Sequence, residues 1–179
     1  QADGSKLDIA GFGGATYGYS QIIVHAKGGI NGMPESDFAG NTSVDYLTTQ
    51  LNKIQIAGNG EALEAAVGLT WYDTYQGADN KFTRAHGTFT LTNSDDEFNV
   101  NIGLNDRSGS FTTNGWDGTT LTKNGAGALI LSAVNSYSGE TYLNGGKLIL
   151  SGSGSIANSA GLTISDANAV FDISGVTAN

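Results

Sequence analysis

Gly127-Ala128-Leu129-Ile130-Leu131-Ser132 returns nineteen residues later as Gly146-Lys147-Leu148-Ile149-Leu150-Ser151. In an extended chain successive side chains point to opposite faces, so Leu129 and Leu131 share one face, and Leu148 and Leu150 share the matching one. A period of this size lies near the lower edge of the 20–50-residue window of stacked repeats. Short strands separated by Gly, Asn and Ser turns, coiling so that equivalent leucines stack, would produce it. Asn31-Gly32, Asn59-Gly60, Asn114-Gly115, Asn124-Gly125 and Asn144-Gly145 are also the dipeptides that close two-residue hairpins, so turn chemistry alone leaves a sandwich open.

Working outward, alternation of apolar and small polar residues dominates and reads as an all-β chain. In Phe98-Asn99-Val100-Asn101-Ile102-Gly103-Leu104 the apolar residues share one face, and Asn99 and Asn101 share the other. Gly87-Thr88-Phe89-Thr90-Leu91-Thr92 repeats the pattern with Thr outside. Further strands are expected at 6–9, 21–26, 53–56, 67–72, 128–131, 147–150, 162–164 and 170–173. Val44, Leu47, Leu51 and Ile54 recur at helical spacing behind the cap-like Asn41-Thr42-Ser43, while the alternation around Leu51, Lys53 and Gln55 fits a strand; both readings stand.

Composition narrows the class. Gly, Asn, Ser and Thr make up 77 of 179 residues, yet hydrophobic residues at 39% still allow a core. A single Pro argues against collagen-like and Pro-rich linker readings. Eight Lys plus Arg against 17 Asp plus Glu give a net charge of −9, which leaves little with which to neutralise phosphates, so no nucleic-acid partner is expected. No apolar run approaches the ~20 residues of a membrane span. The start at Gln1, without a leader, reads as a processed segment whose targeting signals lie elsewhere. The absence of Cys removes disulfides and thiolate metal sites.

The stretch from Thr120-Leu121-Thr122-Lys123-Asn124-Gly125 through Asn135-Ser136-Tyr137-Ser138-Gly139-Glu140-Thr141 to Gly145-Gly146-Lys147-Leu148 closely resembles the passenger-associated repeat of autotransporter proteins. That family's pattern runs L-T-K-x-G-x-G-x-L-x-L-S-x-x-N-x-Y-x-G-x-T. Upstream, Leu69-Thr70-Trp71-Tyr72-Asp73, Ala85-His86-Gly87-Thr88-Phe89 and Gly115-Trp116-Asp117-Gly118 are similar to what precedes the repeat in adhesin passengers of the AIDA and antigen 43 kind. Residues 1–66 match no motif. The resemblance implies a right-handed parallel β-helix (β-solenoid), exported and displayed or released outside a Gram-negative cell, with membrane attachment only through a C-terminal barrel outside this sequence. On this reading residues 1–115 form less regular coils, with a short helix or irregular insertion, and 116–179 form the repeat coils.

Catalytic and metal chemistry find little support. His25 and His86 are the only histidines and neither sits in an HExxH-type setting; no G-x-S-x-G elbow occurs. Asp95-Asp96-Glu97 falls between two strands and reads as a solvated turn rather than a glycosidase pair, which needs carboxyls about 5–9.5 Å apart across a sugar. Calcium-loop signatures are missing. Gly152-Ser153-Gly154-Ser155-Ile156-Ala157 imitates a dinucleotide fingerprint without the helix that would present its N-terminus. Asn41-Thr42-Ser43 is a formal glycosylation sequon. The expectation is a non-enzymatic chain with no catalytic residues, metal or cofactor.

Binding is therefore expected on lateral surfaces. The outward Thr88, Thr90, Thr92, Asn99 and Asn101 could bond an identical face of another molecule, and weak contacts along a rod sum by multivalency. Trp71, Tyr72 and Trp116 could stack on a sugar or protein partner; Trp71 equally continues the inward face of Val67 and Leu69. The expected function is adhesion or cell aggregation, with a host receptor, matrix component, glycan or identical passenger as partner. A structural stem that aids folding and secretion is the alternative, and a carbohydrate-active β-helix enzyme the third.

Overall fold

The computed structural model describes residues 19–26, 44–56, 58 and 60–177. The expected strand at 6–9, the sequon, and the turns at 31–32 and Asn59 lie outside the described residues. The chain divides into two compact units, Gln1–Ser43 with Leu47–Gly68, and Val44–Tyr46 with Leu69–Asn179. The boundary read from the sequence, between 115 and 116, falls within the second unit.

In the first unit a three-stranded sheet is formed by β1 (Tyr19–Ala26), β2 (Leu47–Ile56) and β3 (Gly60–Leu69), in the order β1-β3-β2. β1 and β3 are antiparallel, with Tyr19 opposite Val67 and Ala26 opposite Glu61. The helical reading of 44–54 gives way to the strand reading: β-branched Thr48 and Thr49 suit extended backbone, and β3 supplies the neighbouring ladder.

The second unit is built differently. Its strands are β4 (Thr88–Thr90), β5 (Glu97–Val100), β6 (Leu121–Asn124), β7 (Ala128–Leu131), β8 (Thr141–Leu143), β9 (Lys147–Gly152), β10 (Leu162–Ile164) and β11 (Val170–Val176). They alternate between two four-stranded sheets, ordered β10-β8-β6-β4 and β11-β9-β7-β5, and the ladders within each are parallel. Parallel neighbours need a crossover, and here the crossover is the strand that visits the other sheet. The 19-residue echo becomes register: Ala128, Leu129, Ile130 and Leu131 face Lys147, Leu148, Ile149 and Leu150. In the other sheet Leu121 faces Thr141, twenty residues on.

Pairing like with like stacks the apolar side chains. One inward column runs Phe98, Leu129, Leu148, Phe171, and another begins Val100, Leu131, Leu150. Leu129, Leu131 and Leu148 are completely buried, each worth about 1.5–3 kcal/mol relative to exposure. Asn124-Gly125 does not close a hairpin; it turns β6 into β7 of the other sheet, with Gly125 at φ 79°. The strand expected at 98–104 ends at Val100, because the chain departs into an excursion before β6. Leu104 is nonetheless buried, its N–H donated to Asn135 Oδ1 at 2.8 Å. Likewise, the strand expected through 72 stops at Leu69, and Thr70–Tyr72 form a 3-10 turn. Among the described residues no helix is long and apolar enough to cross a membrane.

Candidate functional site

The register turns single outward residues into columns. Thr88, Thr122, Tyr142 and Thr163 lie side by side across the first sheet, and Thr90 sits beside Asn124, whose side-chain oxygen accepts from the Asn144 amide at 3.0 Å. Across the second sheet the corresponding column is Asn99, Ile130, Ile149, Asp172. Thr88 and Thr90 on β4 and Asn99 on β5 therefore belong to different sheets, with Thr92 and Asn101 exposed just beyond the strand ends. The five residues make no single ladder. Asn99 is further tied to the residue that follows β7, its side-chain oxygen accepting from Ser132 Oγ at 2.8 Å.

The aromatic candidates form a layer beside β4. Trp71 is fully buried, with Nε1 donating to the Asn105 carbonyl at 2.9 Å and its ring 5.5 Å from Tyr137. Tyr72 donates its hydroxyl to the Gly103 carbonyl at 2.6 Å. Trp116 meets Trp71 edge-on at 5.1 Å and Phe111 at 4.7 Å, and its Nε1 donates to the Thr120 carbonyl at 2.8 Å. Behind them the Arg107 guanidinium donates to the carbonyls of Trp71 and Asp73, and the buried Asp73 carboxylate pairs with Arg84, Nε to Oδ2 at 3.1 Å. Of the three aromatic candidates, Trp116 alone lines the cleft beside this layer.

That cleft, about 290 Å³, lies between β4, β6 and the 113–117 turn and is walled by His86, Thr88, Asn114, Trp116, Asp117 and Thr122, among others. His86 is half-buried; burial pushes its pKa below the usual value, against the opposing pull of Asp45 and Asp73. Its Nδ1 accepts the Thr88 N–H at 3.1 Å, and Asp45 Oδ1 accepts the Thr90 N–H at 2.9 Å. Asp117 accepts from the N–H groups of Thr119 and Thr120, both at 2.8 Å, and from the Thr120 hydroxyl at 2.7 Å. Partial burial pushes its carboxyl upward, but those bonds outweigh it and the pKa is lowered.

A second depression, about 420 Å³, is bordered by Gly125, Asn144, Asp166 and Asn168. Its one carboxylate already accepts the Asn168 N–H at 2.8 Å, a poor start for a hard cation that wants six to eight oxygens. Among the described residues no group of three or more His, Asp or Glu could hold a metal ion. The 93–96 turn is closed by Asp96, whose Oδ2 accepts the Asn93 N–H at 2.8 Å, and Glu97 opens β5.

Three buried polar groups escaped sequence reasoning. Lys123 occupies an inward position between Phe89 and Leu143, fully buried, donating from Nζ to the carbonyls of Asn124, Gly125 and Gly145 at 2.8, 2.9 and 3.2 Å. Burial lowers its pKa to about 8. Asn135 accepts from Leu104 and donates to the carbonyls of Ala133 and Ser155, joining three successive passes of the chain. The buried Tyr137 hydroxyl lies 2.7 Å from Thr141 Oγ1, which lies 2.9 Å from Ser159 Oγ. A readable signal existed for Lys123: it alternates in phase with the apolar Leu121 immediately before an Asn-Gly turn.

The described residues are thus mostly strand, and those of the second unit form two parallel ladders, one with an outer column mainly of Thr and one that mixes Ile with Asn and Asp. Residues 121–150 match the model of the passenger-associated-transport-repeat family. These residues supply β6, β7, β8 and the first four residues of β9, the inner strands of both ladders. No curated protein matches the chain. The repeat points to an autotransporter passenger segment, to an extracellular or surface location, and to a non-catalytic role for this region.

Proposed function

We propose that this chain is part of an autotransporter adhesin passenger, folded over its second unit as a right-handed parallel β-helix, and that it acts outside the cell without catalysis. Adhesion or cell–cell self-association would run through the lateral columns, with a host receptor, a matrix glycan or an identical passenger as partner. The observation that carries the reading is the position of the repeat. Residues 121–150 form the inner strands of both ladders, and β4, β5, β10 and β11 continue the stacking on either side. A stacking unit of this kind presents the same outward positions coil after coil, the geometry from which avidity arises.

Beads coated with the intact chain test it, together with sedimentation velocity over a wide concentration range. Bead clustering or attachment to host cells, and reversible growth of dimers or larger species, are expected. Thr92→Lys and Asn101→Lys, both at exposed positions, should weaken self-association. Inert beads and a strictly monomeric chain would overturn the adhesive role and favour a stem that supports folding and secretion.

A further inference from the structure

We propose that the cleft between β4, β6 and the 113–117 turn binds an uncharged pyranoside, such as the exposed residue of a neutral glycan. This names a ligand for the adhesive reading and rests on it. The lining offers hydrogen-bonding groups without fixed positive charge. Among the described residues the hydroxyls of Thr88 and Thr122 and the side-chain amide of Asn114 carry no hydrogen bond, whereas the groups around them are engaged. The Asp117 carboxylate is oriented on the cleft wall by Thr119 and Thr120, and adds an acceptor to the lining. Trp116 has committed its N–H to Thr120, so what it can offer is ring surface, which suits the C–H face of a pyranose. Hydroxyl, amide, carboxylate and aromatic ring together match the alternating polar and apolar faces of a sugar.

The alternatives fit less well. An extended peptide would add to the sheet at β4, but the N–H groups of Thr88 and Thr90 are already taken by His86 and Asp45. An anionic ligand would meet Asp117 with no Lys or Arg in the lining and a chain of net charge −9. Asn114 also holds a backbone conformation that most residues avoid, φ 49° and ψ 25°, directly on the cleft wall.

Saturation-transfer NMR on the intact chain provides the test, with methyl β-D-galactopyranoside and methyl β-D-glucopyranoside as probes and sodium galacturonate as the charged counterpart. At least one neutral probe should receive saturation, and galacturonate should bind more weakly. Asn114→Gly suits the local φ, and Thr122→Val preserves shape, so both should fold; each should lower probe affinity roughly 2- to 10-fold, the worth of one hydrogen bond. No transfer to either neutral probe, galacturonate binding as tightly, or affinity unchanged in both variants would overturn the proposal. If coated beads adhere while neither probe binds, the cleft inference falls and the adhesive function stands. If a probe binds with the expected variant losses while the beads are inert, the cleft stands and adhesion falls.

Discussion

A lysine in an apolar column is the least expected residue of the second unit, and its surroundings explain its presence. Lys123 brings the carbonyls of Asn124, Gly125 and Gly145 to one ammonium, so the turn after β6 and the turn after β8 are locked together by one side chain. Lys123→Met retains length but removes the donor, and the chain should lose about 1–3 kcal/mol at pH 7, read from urea midpoints. Its pKa gives a second, independent signature. The folded group releases its proton near pH 8 and the unfolded one near the ordinary 10.5. Between those values the unfolded state binds the extra proton, so raising the pH stabilises the fold. From pH 7.5 to 9.5 the natural chain should therefore gain stability relative to Lys123→Met; a constant gap would show that Lys123 does not titrate in that window. Asn135→Ala is a different loss: it leaves the buried Leu104 amide without its acceptor, and about 2 kcal/mol should disappear from thermal or urea unfolding with no pH dependence.

The corners limit what can be substituted between strands. At Gly125, φ is 79° and a Cβ would press on the Leu91 carbonyl; at Gly115, φ is 67° and a Cβ would meet open space. Gly115→Ala should cost about 1 kcal/mol for conformation alone, whereas Gly125→Ala should cost at least twice that, because the backbone just after β4 would have to move. Paired thermal denaturation of the two variants checks the ratio. These corners also separate what was legible in the sequence from what was not. The leucine echo predicted pairing to the residue, since Leu129 does face Leu148. The same alternation overshot at Ile102 and Leu104, where burial comes from an irregular excursion fastened by Asn135. Three-residue strands such as β8 carry too few alternations to stand out alone, and the family pattern marks their neighbourhood instead. Of the cleft only Trp116 and Thr88 were legible, as separate candidates, because the 113–117 turn and β4 are segments whose meeting depends on long-range register. In the same way no local pattern could assign Asp45 to the edge of a strand forty-five residues away.

Over the second unit as a whole, the two ends of the stack are finished differently. At one end β4 has its outward N–H groups satisfied by His86 and Asp45, and the Tyr46 ring lies 4.4 Å from Phe98 of β5. At the other end β10 and β11 are the outermost strands of the described ladders and expose Ile164, Val170, Ile173 and Val176, 41–58% accessible. In a stack stabilised mainly by nearest neighbours, disturbance at one end should fade before it reaches the other. Asp45→Ala should speed exchange of the Thr90 amide about tenfold or more while leaving β10 and β11 unchanged in a hydrogen-exchange experiment. Acid should act at the same end through His86. Its folded pKa is lowered by burial, so its contribution is complete above the unfolded value of 6.5 and is lost as pH falls toward the lower folded value. Protonating Nδ1 also removes the acceptor that holds the Thr88 N–H. Protection at Thr88, corrected for intrinsic rates, should therefore fall as the pH is lowered below 6.5 while the inner strands β6 to β9 keep theirs; parallel loss in β6 to β9 would mean that the stack opens as one cooperative body rather than from its capped end.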